Sequence, residues 1–191
     1  MRATTRMKRT KSLRKHFGTL LTGIALALLI FTTLQGPVFS QGKPISFSLQ
    51  RLDGGTLTSA SLAGKVVVLA LGAKNNPLDL SLLPQLQRLS ERYQNRGVVV
   101  VWVAGDSAKP GARNYASDQD IRAFGSRAKF SGIVARDPDA TLLRSIGANQ
   151  MPTIVLIDKK GSISPPLVIG FDPDSQDAVT ELSARIDKLL T

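Results

Sequence analysis

Residues 151–158 read Met-Pro-Thr-Ile-Val-Leu-Ile-Asp, and a turn signal at 158–161 follows them. The run Thr153–Ile157 is apolar and rich in β-branched residues, which predicts a buried strand. A second run of this kind, Lys65–Leu71, reads Lys-Val-Val-Val-Leu-Ala-Leu. Continuous apolar runs of this length are typical of strands covered on both faces of a sheet. The two segments therefore predict a sheet buried between layers of helices.

Predicted strands and helices alternate along the rest of the chain. The other predicted strands are Phe47–Leu52, Val98–Val103, Gly132–Ala135 and Leu167–Ile169. The predicted helices, which show apolar residues at helical spacing, are Leu80–Tyr93, Asp118–Ala128, Ala140–Ile146 and Asp174–Leu190. This order predicts an α/β fold with a central sheet covered by helices on both faces, and a hairpin late in the chain.

The positive charge of the chain is concentrated at its N-terminus. The formal net charge is +11 over 191 residues, and the first 16 residues contain seven basic residues and no acidic one. Without those seven, 18 basic residues face 14 acidic ones, a balance of +4. Because nucleic-acid binding needs a basic face on the folded domain, we expect no nucleic-acid partner.

The basic stretch is followed by an apolar segment, residues 17–34, and by Gly36-Pro37. A basic region, an apolar region and a helix break are typical of a secretory signal peptide. The apolar segment is also close to the minimum length of a membrane-spanning helix, so an uncleaved anchor is the alternative. We therefore predict a signal peptide or N-terminal membrane anchor at 1–40, and an exported domain at 41–191, in a periplasm or an equivalent lumen.

The expected exported domain contains neither cysteine nor histidine, because the chain has no cysteine and its one histidine is His16. This composition excludes disulfides, Cys–His and His-based catalytic groups, and ordinary zinc, copper or haem ligation. No calcium-loop spacing of carboxylates and no Gly-rich phosphate loop is present. We therefore predict no metal and no cofactor.

Four segments resemble the thioredoxin-like superfamily, and most closely its TlpA-like and AhpC/TSA branch. Phe47–Lys65 resembles the N-terminal hairpin that this branch adds before the first central strand. Ala73 and Pro84 are spaced like the Ala-x-x-Cys-x-x-Cys segment and the helix proline beyond it. Asp137-Pro138-Asp139 and the stretch 151–161 resemble the short helix start and the cis-proline loop. The resemblance implies a thioredoxin-like fold with a mixed sheet, an added N-terminal β-hairpin, and a cis peptide bond before Pro152.

The residues that carry the family's thiol chemistry are replaced in this chain. The resemblance places the two cysteine positions at Asn76 and Asp79, the tryptophan position at Asn75, and a proton-handling position at Ala70. Nucleophile and resolving thiol are both absent, so we expect no redox enzyme of the usual kind and no catalytic residue.

Asn76-Pro77-Leu78-Asp79 has two interpretations. Asn is a preferred N-cap, Pro suits the first helical position, and an acid in the first turn complements the helix dipole, so the segment can be a well-capped helix start. Alternatively it forms a recognition surface that binds a protein or extended peptide by β-addition without reacting with it. The candidate binding residues are Lys74, Asn75, Asn76, Asp79, Met151 and Pro152. New catalysis at this place is a third possibility.

Three other features of the domain are given plain structural interpretations. Trp102 lies in an apolar strand and is expected in the core. Asp106 follows that strand, where α/β folds often bind ligands, but a lone loop aspartate is expected to be solvated. The polar segment Gly105–Asp120 is expected to be a connecting loop.

We conclude from the sequence that this is an exported, redox-inactive thioredoxin-like domain with a non-catalytic binding or assembly role at the cell envelope. The alternatives are a family member with a residual or partner-dependent redox role, and a structural subunit of a membrane complex. The membrane would be a further partner through residues 17–34 if the leader is uncleaved.

Overall fold

The structure is a computed structural model that describes residues 42–170 and 176–191. The predicted signal or anchor at 1–40 and the predicted start of the last helix at Asp174 lie outside the described residues. Within the described part, no helix has both the length and the apolar character needed to cross a bilayer.

Seven strands form one mixed sheet with the order β2-β1-β5-β4-β3-β6-β7. The strands are β1 (Ser48–Arg51), β2 (Thr56–Thr58), β3 (Val66–Gly72), β4 (Val98–Ala104), β5 (Ile133–Arg136), β6 (Thr153–Ile157) and β7 (Ile163–Ile169). The helices are α1 (Pro77–Arg92), α2 (Asp118–Arg127), α3 (Thr141–Ser145) and α4 (Gln176–Leu190), with a 3₁₀ turn at Ala60–Leu62. The predicted alternation of strands and helices is confirmed.

The centre of the sheet is parallel and its flanks are antiparallel. β4 pairs parallel with β3 on one side and with β5 on the other. β6 runs antiparallel to β3, and β1 and β2 form an antiparallel pair beside β5. As a result the C-terminal ends of β3 and β4 and the N-terminal end of β6 lie at one edge of the sheet, where the candidate residues are found.

The core has two layers because alternate residues of the buried strands face opposite sides of the sheet. Val66, Val68 and Ala70 of β3 pack in one layer with α1, α2 and α4. Val67, Leu69 and Leu71 pack in the other layer with α3 and the residues of the 3₁₀ turn. All seven residues of β3 are buried, as the sequence of the run predicts.

The last strand is longer than predicted. β7 begins at Ile163 rather than near Leu167, and it contains Pro165 and Pro166. Prolines argue against a central strand because they cannot donate to the ladder, but they are tolerated at a sheet edge. β7 is an edge strand, and its pairing with β6 is irregular between Ile154 and Leu156.

Candidate functional site

Asn76 joins the start of α1 to the loop that contains Pro152. It is the N-cap of α1, and its Oδ1 accepts a hydrogen bond of 3.0 Å from the Leu78 N–H. Its Nδ2 donates a hydrogen bond of 3.0 Å to the Met151 carbonyl. Both parts of the carboxamide are therefore used, and the residue at the first cysteine position acts as a hydrogen-bonded staple between two segments.

Two substitutions test this double role of Asn76. Asn76→Ala removes the cap and the bond to Met151, and we expect a loss of about 1–3 kcal/mol in the free energy of unfolding. Asn76→Asp keeps a cap acceptor but cannot donate to the Met151 carbonyl. It therefore tests the hydrogen bond to Met151 separately from the helix cap. Urea denaturation of the full chain at neutral pH measures both. Equal stability of Asn76→Ala and the native chain would contradict the staple.

Asp79 is not part of an accessible surface, so the expectation that it contacts a partner is wrong. Its side chain is 0 % exposed. Oδ1 accepts a hydrogen bond of 3.0 Å from the Trp102 indole N–H, and Oδ2 accepts one of 3.1 Å from the Ala73 N–H. Burial raises the pKa of Asp79 to about 6, with a smaller contribution in the same direction from Asp106, while these two hydrogen bonds oppose the shift.

Asp106 is also buried, which corrects the expectation that it is solvated. It is 0 % exposed, and its Oδ2 accepts a hydrogen bond of 3.0 Å from the Lys74 N–H. Its Oδ1 has no hydrogen-bond partner among the described residues. Burial raises the pKa of Asp106, while the bond from Lys74 and the charges of Lys74 and Arg136 lower it.

The loop after Asp106 is held by Arg136, which the sequence analysis did not single out. Arg136 is only 6 % exposed and ends β5. Its Nη1 pairs with Asp118 Oδ1 at 2.5 Å, and its Nη2 donates to the carbonyls of Asp106 and Ala116, each at 3.0 Å. The sequence did contain a signal for this role, since Arg136 directly follows the apolar predicted strand Gly132–Ala135. An arginine buried at such a place must find hydrogen-bond acceptors. The segment Gly105–Asp120 does connect two elements, as predicted, and hydrogen bonds from Arg136 hold it in place.

Trp102 lies in the core, as predicted, and it also supports the site. It is fully buried in β4 and packs against Phe124 with the ring centroids 5.5 Å apart. Its indole N–H faces the Asp79 carboxylate described above. A core residue therefore supplies one of the two hydrogen bonds that hold this buried acid.

The Met151–Pro152 peptide bond is cis, as the resemblance implied. Pro152 is buried, so its side chain offers no contact surface, and its carbonyl accepts a bond of 2.9 Å from the Gly170 N–H. The Met151 side chain is half-buried and lies over Gly105, where an added Cβ would meet its Cε at 2.2 Å. Before this loop, the Asp137 carboxylate accepts hydrogen bonds from the N–H groups of Thr141 and Leu143 in the first turn of α3, whose N-cap residue is Ala140.

The structure brings the expected residues together but does not expose them equally. Asn75 is exposed, and Lys74, Asn76 and Met151 are half-buried. We call these four residues, with the backbone around Pro152, the recognition surface. Within residues 42–170 and 176–191, no group of three or more His, Cys, Asp or Glu residues could hold a metal ion.

Known structures share this fold. A thiol:disulfide interchange protein from Chlorobium tepidum, provisionally assigned as DsbE, is 25% identical with a TM-score of 0.66, and the match covers 80% of this chain and 99% of that one. The exposed lipoprotein thioredoxin Etrx1 from Streptococcus pneumoniae is also 25% identical, with a TM-score of 0.59 and coverage of 74% and 99%. The fold is thioredoxin-like.

The family follows from the sequence match itself. The model of the AhpC/TSA family matches residues 42–165, and the chain belongs to this family. No curated protein matches the chain. The chain has no cysteine, and both positions that the resemblance assigns to the catalytic thiols are held by other side chains.

Proposed function

We propose that this protein is an exported, redox-inactive thioredoxin-like domain that binds a protein or an extended peptide at its recognition surface, in a binding or assembly role at the cell envelope. The observation that carries the proposal is the hydrogen bond of 3.0 Å that Asn76, at the position the resemblance assigns to the first cysteine, donates to the Met151 carbonyl. The helix start and the proline loop are kept in contact without a thiol. This contact fixes the relative position of the two segments that form the recognition surface.

The backbone at Met151 supports binding by β-addition. The Met151 N–H has no hydrogen-bond partner within the described part of the chain. A partner strand can therefore place a carbonyl against this donor, while the neighbouring acceptor is already used by Asn76. Lys74 and Asn75 beside it give the surface one positive charge and one exposed amide.

The exported setting is supported by the basic and apolar leader and by one neighbour. The pneumococcal structure is described as an exposed lipoprotein thioredoxin. Its similarity over 74% of this chain favours a related placement, outside the cytoplasmic membrane.

Site-specific photo-cross-linking of the full chain in the source organism's membranes tests the proposal. A benzophenone amino acid at the exposed position of Asn75 is expected to capture a discrete partner. The variant Lys74→Glu/Met151→Asp, probed from the same position, is expected to lose about tenfold or more of the product, because central contacts dominate interface energy. Lys65→Glu/Gln94→Arg, at the opposite end of the sheet, is expected to keep it.

Three outcomes would overturn the proposal. One is the absence of any specific product at position 75. The second is an equal loss of product in both variants. The third is capture only from probes placed at Lys65 or Lys160, which would favour a structural subunit that uses another face. Circular dichroism of each variant verifies that the fold is retained.

A further inference from the structure

Two buried carboxyl groups lie directly beneath the segment Ala73–Asn76, which carries most of the recognition surface. Asp79 and Asp106 each accept a hydrogen bond from a backbone N–H of this segment, at 3.1 Å from Ala73 and at 3.0 Å from Lys74. Neither carboxyl group is exposed to solvent. The backbone of the segment is therefore positioned from inside the molecule by two ionisable side chains.

The hydrogen bonds of this pair do not satisfy two full negative charges. Asp106 Oδ1 is buried and without a partner among the described residues. Lys74 and Arg136 face Asp106, and their charges favour its ionised form. Arg136 Nη1 is paired with Asp118, while its Nε, like Asp106 Oδ1, is buried and has no partner among the described residues. Asp79 faces the negative charge of Asp106 and, on its other side, only the neutral N–H groups of Trp102 and Ala73. Two like charges in a buried site disfavour each other, so one of them is the natural place for a proton.

We propose that the Asp79–Asp106 pair takes up one proton as the pH falls below neutrality, and that this proton changes how the segment Ala73–Asn76 is held. An ionised carboxylate has two acceptor oxygens, whereas the neutral acid has one O–H donor and a reduced acceptor capacity. Neutral Asp79 cannot hold both the indole of Trp102 and the N–H of Ala73 equally well. One of the two bonds weakens, and the recognition surface becomes sensitive to pH.

Burial and the neighbouring charge place this change in an accessible range, since they raise the pKa of Asp79 to about 6. An ordinary aspartate titrates near pH 4, well below the range in which most proteins are studied. The inference concerns the conformation of the surface, so it goes beyond the proposed function and holds whatever the surface binds.

The single tryptophan of the chain makes the test direct, because the indole N–H of Trp102 contacts Asp79 Oδ1 at 3.0 Å. Tryptophan emission of the full chain, recorded from about pH 8 to about pH 4.5, is expected to titrate with a midpoint within about one unit of pH 6. Asp79→Asn is expected to abolish the transition. Asp106→Asn is expected to keep it at a lower midpoint, because a negative neighbour has been removed. Asp139→Asn, at an exposed aspartate, is the matched control and should match the native curve.

A second measurement uses the native chain alone, so its result does not depend on whether the variants fold. The amide ¹⁵N and ¹H shifts of Ala73 and Lys74 should move with the same midpoint as the emission. A flat emission curve between about pH 5 and 7, or an unchanged transition in Asp79→Asn, would overturn the inference. If the emission titrates but the shifts of these two amides do not change, the claim that the proton changes how the segment Ala73–Asn76 is held is overturned. Both measurements are made without a partner, so they are independent of the cross-linking result.

Discussion

Gly72→Ala is expected to lower the free energy of unfolding by about 2–6 kcal/mol. A Cβ at this position would lie 1.7 Å from Asp79 Oδ1 and 2.7 Å from Trp102 Nε1. The Asp79 side chain would have to leave the indole of Trp102, and the buried N–H would lose its acceptor. Overpacking costs about 1–3 kcal/mol and an unsatisfied buried donor about 1–3 kcal/mol, which together give the expected range. Urea denaturation followed by circular dichroism measures the loss.

Gly125→Ala is the matched control for this prediction. Gly125 is also buried, but it lies within α2, and the nearest atom to an added Cβ is Val134 Cγ2 at 3.9 Å. Alanine is the better helix former by about 1 kcal/mol, so this variant should be as stable as the native chain or slightly more stable. Similar losses in both variants would contradict the view that Gly72 makes room for the Asp79–Trp102 hydrogen bond.

The double substitution Asn76→Cys/Asp79→Cys is expected to give the chain a disulfide and a measurable thiol–disulfide exchange activity where the native chain has none. The two positions are the N-cap and the third residue of α1, and the helix N-terminus stabilises a thiolate there. Quantification of free thiols under native and denaturing conditions detects the disulfide. Reduction of a model protein disulfide, with dithiothreitol as the reductant, detects the exchange.

Asn75→Cys/Asp79→Cys is the matched control, because it adds the same number of thiols with the wrong spacing. It should form no intramolecular disulfide under the same conditions. A reduced Asn76→Cys/Asp79→Cys variant that resists oxidation would show that these positions do not correspond to the family's thiols. Some loss of stability is expected in both variants, since the buried N–H groups of Trp102 and Ala73 lose their carboxylate acceptor.

The fold was predictable because its strongest signals are local. Lys65–Leu71 and Val98–Val103 are apolar and β-branched, and both are central strands. Asn76 and Pro77 indicate a helix start, and α1 begins at Pro77 with Asn76 as its cap. β7 was predicted too short, since its prolines conceal a strand that is possible only at an edge, and edge position is a property of the whole sheet.

The candidate site was predicted less well than the fold. Asn76 and Met151 were both selected, yet the hydrogen bond between them joins residues 75 positions apart, and no local pattern reports it. The sequence places Asp79 in a first helical turn, as a complement to the helix dipole or as a candidate binding residue, and neither interpretation predicts that it is buried. Its burial depends on how α1 rests on β3 and β4. Asp106 and Arg136 were misjudged or missed for the same reason, since their polar groups are satisfied only by chain segments that are distant in sequence.

The amino-acid sequence by itself determined the α/β architecture, the thioredoxin-like family and the absence of thiol groups. The architecture follows from hydrophobic periodicity and from helix and turn signals. The family follows from the resemblance of four segments to known members, and the absence of thiols from a sequence without cysteine. Only the tertiary structure decided that Asn76 bonds the Met151 carbonyl and that Asp79 and Asp106 are buried beneath the Ala73–Asn76 segment. The physical reason is that burial and hydrogen bonding depend on which segments pack together, and the environment they create changes the pKa of an aspartate that looks ordinary in the sequence.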